Sequence, residues 1–258
     1  MQDRLSLFVQ RDSPLHRLNP LTKLTVTFSL ILIGFLGPGF WLATLIFVLV
    51  LLPLGVWGRI GQEFIRTTLR LILPLAAFLF VMQSLFYPGG KTVLFSIWIL
   101  SVKLEGVQFA YLTASRIMTM VGSFLILLLS THPSTLMTAL AQRGLPAALT
   151  YVIVSTLQII PHMQAKANTI INAQRSRGLE TEGGIHKRVR ALLPLVGPLV
   201  FGSLVDVEER AIAIEARAFK AHRPKTSLVA VHDSSAQRAL RMGLIILTLL
   251  AIGAGLWL

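Results

Sequence analysis

The chain has 258 residues, of which 54% are hydrophobic and only 14% charged, against roughly 25% charged in an average soluble domain. With a mean hydropathy of +0.71, this excludes an ordinary soluble fold and marks an integral membrane protein. The 24 Lys and Arg outnumber the 11 Asp and Glu for a net charge of +13, but they fall between apolar runs, so they fit loops facing anionic headgroups rather than a nucleic-acid surface. With no cysteine, disulfides and thiolate metal sites are excluded.

Asp3, Arg4, Arg11, Asp12, Arg17 and Lys23 precede any apolar run, unlike a cleavable signal peptide, and place the N-terminus in the cytoplasm. An apolar stretch follows, divided by "GPG" at 37–39 into a helical hairpin, with helices at about 18–36 and 40–57. Arg59, Arg66 and Arg70 return the chain to the basic side, and 71–90 is a third charge-free run, closed outside by "YPGG". Residues 92–102 are too few to span as a helix and read as an outer loop or short hairpin. A fourth helix at about 105–130 leads back inside and carries Arg116, which costs at least ~2.5 kcal/mol in hydrocarbon unless it meets a partner or a wet interior. Glu105 is a candidate partner, but it lies about 16 Å away along the helix, so a direct pair needs a bend.

Residues 144–165 contain no Asp, Glu, Lys or Arg and pass a hydropathy test for a span. Parity argues otherwise, because a crossing here would put Lys166, Arg175, Arg177, Lys187, Arg188 and Arg190 outside. The region 133–223 is therefore expected at the cytoplasmic face, with apolar, non-spanning helices at 147–165 and 191–205, the latter broken by Pro194 and Pro198. Arg238 and Arg241 precede a last run, 242–258, that just reaches spanning length and puts the C-terminus outside. In this topology every cation but Lys91, Lys103 and Arg116 lies inside. The expected fold is all-α: a polytopic membrane protein of about five spanning helices, with domains at 1–130, 131–235 (long, non-spanning) and 236–258.

No catalytic, cofactor or metal site is expected. "GGKT" at 89–92 resembles the tail of a phosphate-binding loop, but the glycine such a loop needs at 85 is Leu85, so a turn is the better reading. His16, His132, His162, His186, His222 and His232 never share helical ligand spacing, and there is no Gly-x-Ser-x-Gly elbow or His-Glu-x-x-His helix.

Two short stretches remain: "NAQRSRGLE" at 172–180 and "IEARAFK" at 214–220. Ile170 to Arg177 reads as the polar end of a long amphipathic helix, and Gly178 suits the left-handed position just past a helix end. An arginine there can fork two hydrogen bonds onto a carboxylate. Arg175, Arg177 and Arg217 could instead snorkel to headgroups. The repetition of small-Arg-small at 176–178 and 216–218 favours a pair of plugs for two copies of a soluble partner.

With these motifs the chain resembles the transmembrane T component of energy-coupling factor transporters, the EcfT/CbiQ family. The likeness covers nearly the whole length: "SPLHRLNPLTKL" at 13–24 matches the family's N-terminal signature, "THPSTL" at 131–136 and "GLP" at 144–146 the start of its coupling region, and "AQRSRGLE" and "IEARAFK" its two coupling motifs. The resemblance implies a non-catalytic subunit in the cell membrane of a prokaryote. Its implied partners are two ABC-type ATPases, as a homo- or heterodimer, which bind the ATP, and a membrane S component that binds a vitamin or transition-metal ion. It implies ATPase docking by Ser176, Arg177 and Gly178 and by Ala216, Arg217 and Ala218, with Arg175, Glu215 and Phe219 supporting. ATPase closure would move the coupling helices and tilt the S component. The family's second motif usually ends in Gly where this chain has Ala218, so the helix is expected to run on through Phe219 and Lys220 to a stop near Pro224. The non-spanning apolar helices would offer a sliding platform, with Ala147, Ala148, Met163 and Gly197 permitting close contact.

The alternatives are a permease of another ABC importer, whose Glu-Ala-Ala loop carries a glycine that "EARAFKAHRPK" at 215–225 lacks, and a polybasic membrane scaffold without ATPases. An intramembrane enzyme acting on lipid would need paired carboxylates or histidines within a span, and none is found.

Overall fold

A computed structural model describes residues 8–88, 92–97, 100–178, 185–219, 221 and 231–257. The chain divides into two units, one formed by Ser6–Arg143 with Val229–Leu258 and the other by Gly144–Leu228.

In the first unit the N-terminal signature builds two helix starts. Ser13 caps α1 (Pro14–Arg17) by accepting from the His16 amide, and Asn19 caps α2 (Pro20–Leu36) by accepting from Leu21 N–H at 2.9 Å. Each cap is followed by a proline, whose missing donor costs nothing in a first turn. After the Gly-Pro-Gly turn, α3 (Leu42–Ile46), a π-helical turn (Phe47–Leu51) and α4 (Leu52–Trp57) succeed one another without a break. The wide turn precedes Pro53, which has no N–H to give to the preceding turn, and so absorbs a defect that would otherwise break the helix.

Helix α5 runs Gly61–Phe86, which corrects the expected 71–90. Glu63, Arg66 and Arg70 belong to the helix itself: Phe64, Thr68 and Ile72, four residues apart, form its buried stripe while the charges take the other faces. At ~39 Å it exceeds the ~30 Å hydrocarbon core, so its charged first turns can stand at headgroup level. The short stretch after it is a hairpin, β1 (Val93–Ile97) antiparallel to β2 (Leu100–Lys103), with Ser96 opposite Ser101. Then come α6 (Leu104–Ser130), α7 (Pro133–Ala141) and, after the other unit, α10 (Ser235–Trp257).

Small residues bring these helices together, as expected where lipid removes much of the hydrophobic drive for association. A Cβ on Gly106 of α6 would lie 2.6 Å from the Gln83 carbonyl oxygen of α5, and one on Gly122 would lie 3.1 Å from both Leu51 and Phe47. Thr119 Oγ1 donates to Ala43 O at 2.7 Å. Leu30, Ile46, Phe47, Leu51, Phe64, Leu125 and Leu129 fill the space between. Among the described residues three helices are long and apolar enough to cross a membrane, Gly61–Phe86, Leu104–Ser130 and Ser235–Gly255, and the apolar helices Pro20–Leu36 and Leu42–Trp57 are shorter. The architecture is that of an all-α polytopic membrane protein, with the small hairpin as its strand content among the described residues.

The second unit is built on α8 (Ala147–Ser176) and α9 (Ile185–Ala216), longer than the apolar stretches 147–165 and 191–205 from which they were expected. Neither is among the helices apolar enough to span. Pro161 in α8 and Pro194 and Pro198 in α9 each withhold a helix hydrogen bond.

Candidate functional site

Both arginine motifs lie in the second unit, and its helix pairing fixes their separation. Lys166 of α8 meets α9 at Asp206, donating to its carboxylate at 2.8 Å, and at Gly202, where a Cβ would lie 2.7 Å from the lysine ammonium. Near the start of α8, Tyr151 packs its ring 5.4 Å from that of Phe219, just past the end of α9. Rising positions on α8 thus meet falling positions on α9, and the helices run antiparallel. Their C-terminal ends point opposite ways, and α8 from Tyr151 to Arg177 spans on the order of 40 Å. The Asp206 carboxyl is held below its ordinary range, chiefly by the hydrogen bond from Lys166, with the charges of Lys166 and of His162, 3.8 Å away, adding to it.

The two ends are built alike. Beyond α8, Arg177 N–H donates to Gln174 O at 3.0 Å and Gly178 N–H to Arg175 O at 2.9 Å, with Gly178 at φ +89°. A side chain at Gly178 would meet nothing within 4 Å, so it is the left-handed backbone, and not space, that favours glycine there. Beyond α9, Ala218 N–H donates to Glu215 O at 2.9 Å and Phe219 N–H to Ile214 O at 3.2 Å. This is a complete Schellman turn, with Ala218 at φ +53° in the position usually taken by glycine. The expected run-on of the helix is corrected: α9 ends at Ala216, because the two turn bonds and the Tyr151–Phe219 contact hold alanine in the left-handed region. Lys220 and Pro224, where the run-on was placed, lie outside the described residues, as do Leu179 and Glu180 of the first motif and Gly89 to Lys91 of "GGKT".

Arg175, Ser176, Arg177, Gly178, Glu215, Ala216, Arg217 and Ala218 are all exposed, and Phe219 is half-buried. Among the described residues neither the Arg177 nor the Arg217 guanidinium has a hydrogen-bond or ion-pair partner. The structure places each arginine at the tip of a helix and does not bring the two together. Among the described residues no group of three His, Cys, Asp or Glu could hold a metal ion.

Sequence reasoning missed a polar cluster in the first unit. Asp233 accepts both oxygens' worth of bonds from Arg241 Nη2 at 2.9 and 2.8 Å and one from Arg143 Nη2 at 2.6 Å. Arg241 Nη1 also donates to Thr22 Oγ1 at 3.3 Å, and the Asn19 amide side chain to His232 O at 3.2 Å. Lys23, buried in α2, donates to Ser130 O at 2.7 Å. The one available signal was Asp233 itself, an acid between His232 and the two arginines that follow at 238 and 241.

Comparison with known proteins agrees with this architecture. A family model described as CbiQ, cobalt transport protein, matches residues 11–228. Similar proteins include the "Energy-coupling factor transporter transmembrane protein EcfT" of Lactococcus lactis subsp. cremoris, 28% identical over 95% of each chain. The proteins of that name from Thermanaerovibrio acidaminovorans (31% identical, 83% of this chain and 82% of the relative) and Lacticaseibacillus paracasei (30%, 86% and 87%) are also similar. Matched by that model over most of its length and by relatives over at least four fifths of theirs, this chain belongs to the CbiQ/EcfT family of energy-coupling factor transporter transmembrane proteins.

Proposed function

We propose that the chain couples ATP hydrolysis in two ABC-type ATPase subunits to import of a nutrient, a vitamin or transition-metal ion, bound by a separate membrane S component. The observation that carries this reading is the matched pair of helix ends, each presenting one exposed arginine without a partner among the described residues, followed by a residue in the left-handed conformation. A planar guanidinium on a rigid helix tip suits bidentate docking into an acidic groove. Two such tips on one antiparallel pair suit two ATPase copies, one for each. Ser176, Arg177 and Gly178 would engage the first and Ala216, Arg217 and Ala218 the second, with Arg175, Glu215 and Phe219 in support. ATP would be bound by those partners, and this subunit would hold no cofactor and catalyse nothing.

The α8–α9 unit is the proposed coupling domain, within the region 131–235 and on the cytoplasmic side together with the N-terminus. No residue of α8 is buried, and Leu149, Val152 and Ile153 are exposed, as a greasy platform for a mobile membrane partner requires. Substitution at Leu149 or Ile153 should weaken S-component binding and leave ATPase binding unchanged.

The deciding experiment is mild-detergent purification of the tagged protein from its native membrane beside the Arg177→Ala, Arg217→Ala double variant. Two ATPase chains that accompany the wild type and leave with the variant support the coupling role. Absence of ATPase from both would return the arginines to lipid anchoring and the chain to a scaffold.

A further inference from the structure

We propose that a cavity in the first unit, between the N-terminal signature, the end of α6 and the segment before α10, binds a phosphate-bearing anion. It measures about 220 Å³, and none of its lining residues belongs to either arginine motif.

Lys23 forms part of its wall, with only 6% of the residue exposed. Its ammonium donates to two backbone oxygens, Ser130 O at 2.7 Å and His16 O at 3.3 Å. An ammonium has three donors, so one remains. The Ser130 carbonyl ends α6 and brings the partial negative charge of a helix C-terminus, about half a unit, which offsets part of the lysine's charge and leaves the rest. A buried cation is costly without an opposite charge, and among the described residues no carboxylate lines the cavity.

The other polar groups around the cavity are donors or neutral. Both ring nitrogens of His16 are engaged, Nδ1 with Ser13 Oγ at 2.7 Å and Nε2 with Val9 O at 3.0 Å, so His16 serves as wall. His132 uses Nδ1 on Ser134 and keeps Nε2, while Arg17 and His232 are exposed at the rim. Two acids stand beside the lining residues: Asp233, next to His232, is already held by Arg241 and Arg143, and Asp12 pairs with Arg17 at 3.0 Å with both side chains more than 70% exposed, so an anion of higher charge can displace it. A phosphate group, with its charge and several strong acceptor oxygens, answers the lysine, the arginine, His132 Nε2 and the His232 ring together. The headgroup of an anionic phospholipid and free inorganic phosphate share this chemistry.

The test uses the purified full chain in two arms. In the first, protein reconstituted into nanodiscs of phosphatidylcholine and phosphatidylglycerol is released and weighed by native mass spectrometry. In the second, inorganic phosphate is titrated against protein in neutral detergent, with chloride at matched ionic strength as the reference, and the unfolding temperature is followed. Each arm includes Lys23→Met and, because that change alters a buried contact, the rim variant Arg17→Gln, His232→Gln. Selective retention of phosphatidylglycerol that falls several-fold in the variants supports a lipid headgroup site. Stabilisation by phosphate over chloride, lost in the variants and without lipid selectivity, supports a soluble phosphate. Wild-type protein that shows neither effect, or a rim variant that binds as well as wild type, overturns the proposal.

Discussion

Arg143 Nη2 lies 2.6 Å from Asp233 Oδ2, an ion pair that joins the last residue before the chain passes into the α8–α9 unit to one just after it returns. Both passages of the chain are thereby tied to one carboxylate. Arg241, whose side chain is 11% exposed, makes the two-bond contact with Asp233, and Arg238 lies 3.6 Å away.

Replacing Asp233 by Asn should therefore leave three guanidinium groups without their common counter-charge and lower the unfolding temperature by several degrees in detergent. The pH dependence has a defined sign. The hydrogen bond from Arg241, then that from Arg143, holds the folded-state Asp233 carboxyl below its ordinary range, so its contribution is complete above about pH 4 and fades as acid protonates it. The gap in unfolding temperature between wild type and Asp233→Asn should thus be constant near neutrality and close below about pH 4. A gap that persists in stronger acid would show that the variant loses something other than the charge.

Ala218 takes the same left-handed position as Gly178, with the matching amide bond back along the helix, but with a side chain attached, and this makes the second helix end sensitive to residue shape. Ala218→Val would force a β-branched residue into the left-handed region at a cost of about 1–3 kcal/mol, enough to release the turn. The amide of Phe219, which donates to Ile214 O, should then exchange with solvent about tenfold faster or more, while Ala218→Gly should protect it as well as wild type or better. Equal exchange in all three proteins would mean the turn does not depend on this residue.

Gly106 sets how closely α5 and α6 approach. Its added Cβ would meet backbone, the Gln83 carbonyl at 2.6 Å and Ser84 Cα at 3.2 Å, and backbone does not swing aside as a side chain does. Gly106→Ala should destabilise the protein by about 1–3 kcal/mol through forced separation of the helices. Gly197→Ala, with nothing within 4 Å of the new Cβ, is the matched control and should be near neutral or slightly stabilising. Thermal unfolding of the two variants side by side decides it.

How much of this was legible in the sequence follows from what each feature depends on. Helix positions at 20–36, 42–57 and 104–130 were readable because apolar length and Gly-Pro turns are local signals. The start of α5 was misread because Arg66 and Arg70 look like loop residues until Phe64, Thr68 and Ile72 are known to face neighbours. The arginine motifs were visible as repeated words, yet their placement at opposite ends of one antiparallel pair needed the Lys166–Asp206 and Tyr151–Phe219 contacts. The end of α9 was misjudged because a left-handed alanine rests on turn bonds and a ring contact that composition does not encode. Asp233 and Arg143 are 90 positions apart in sequence, and only the fold makes them neighbours.

Arg177 and Arg217 should act separately. With Arg177 and Arg217 at opposite ends of the helix pair, on the order of 40 Å apart by helix length, they share no contact, and effects at sites more than about 10 Å apart add in free energy. If each guanidinium docks into its own ATPase copy as a buried anchor, each single Arg→Ala change should weaken ATPase binding by about 2 kcal/mol or more. Affinities of the purified ATPases for wild type, both single variants and the double variant in nanodiscs form a complete cycle. A coupling energy within about 0.5 kcal/mol of zero supports two independent sites. A larger one would mean that the arginines meet a single shared surface, a geometry the antiparallel arrangement of α8 and α9 does not permit without bending the pair.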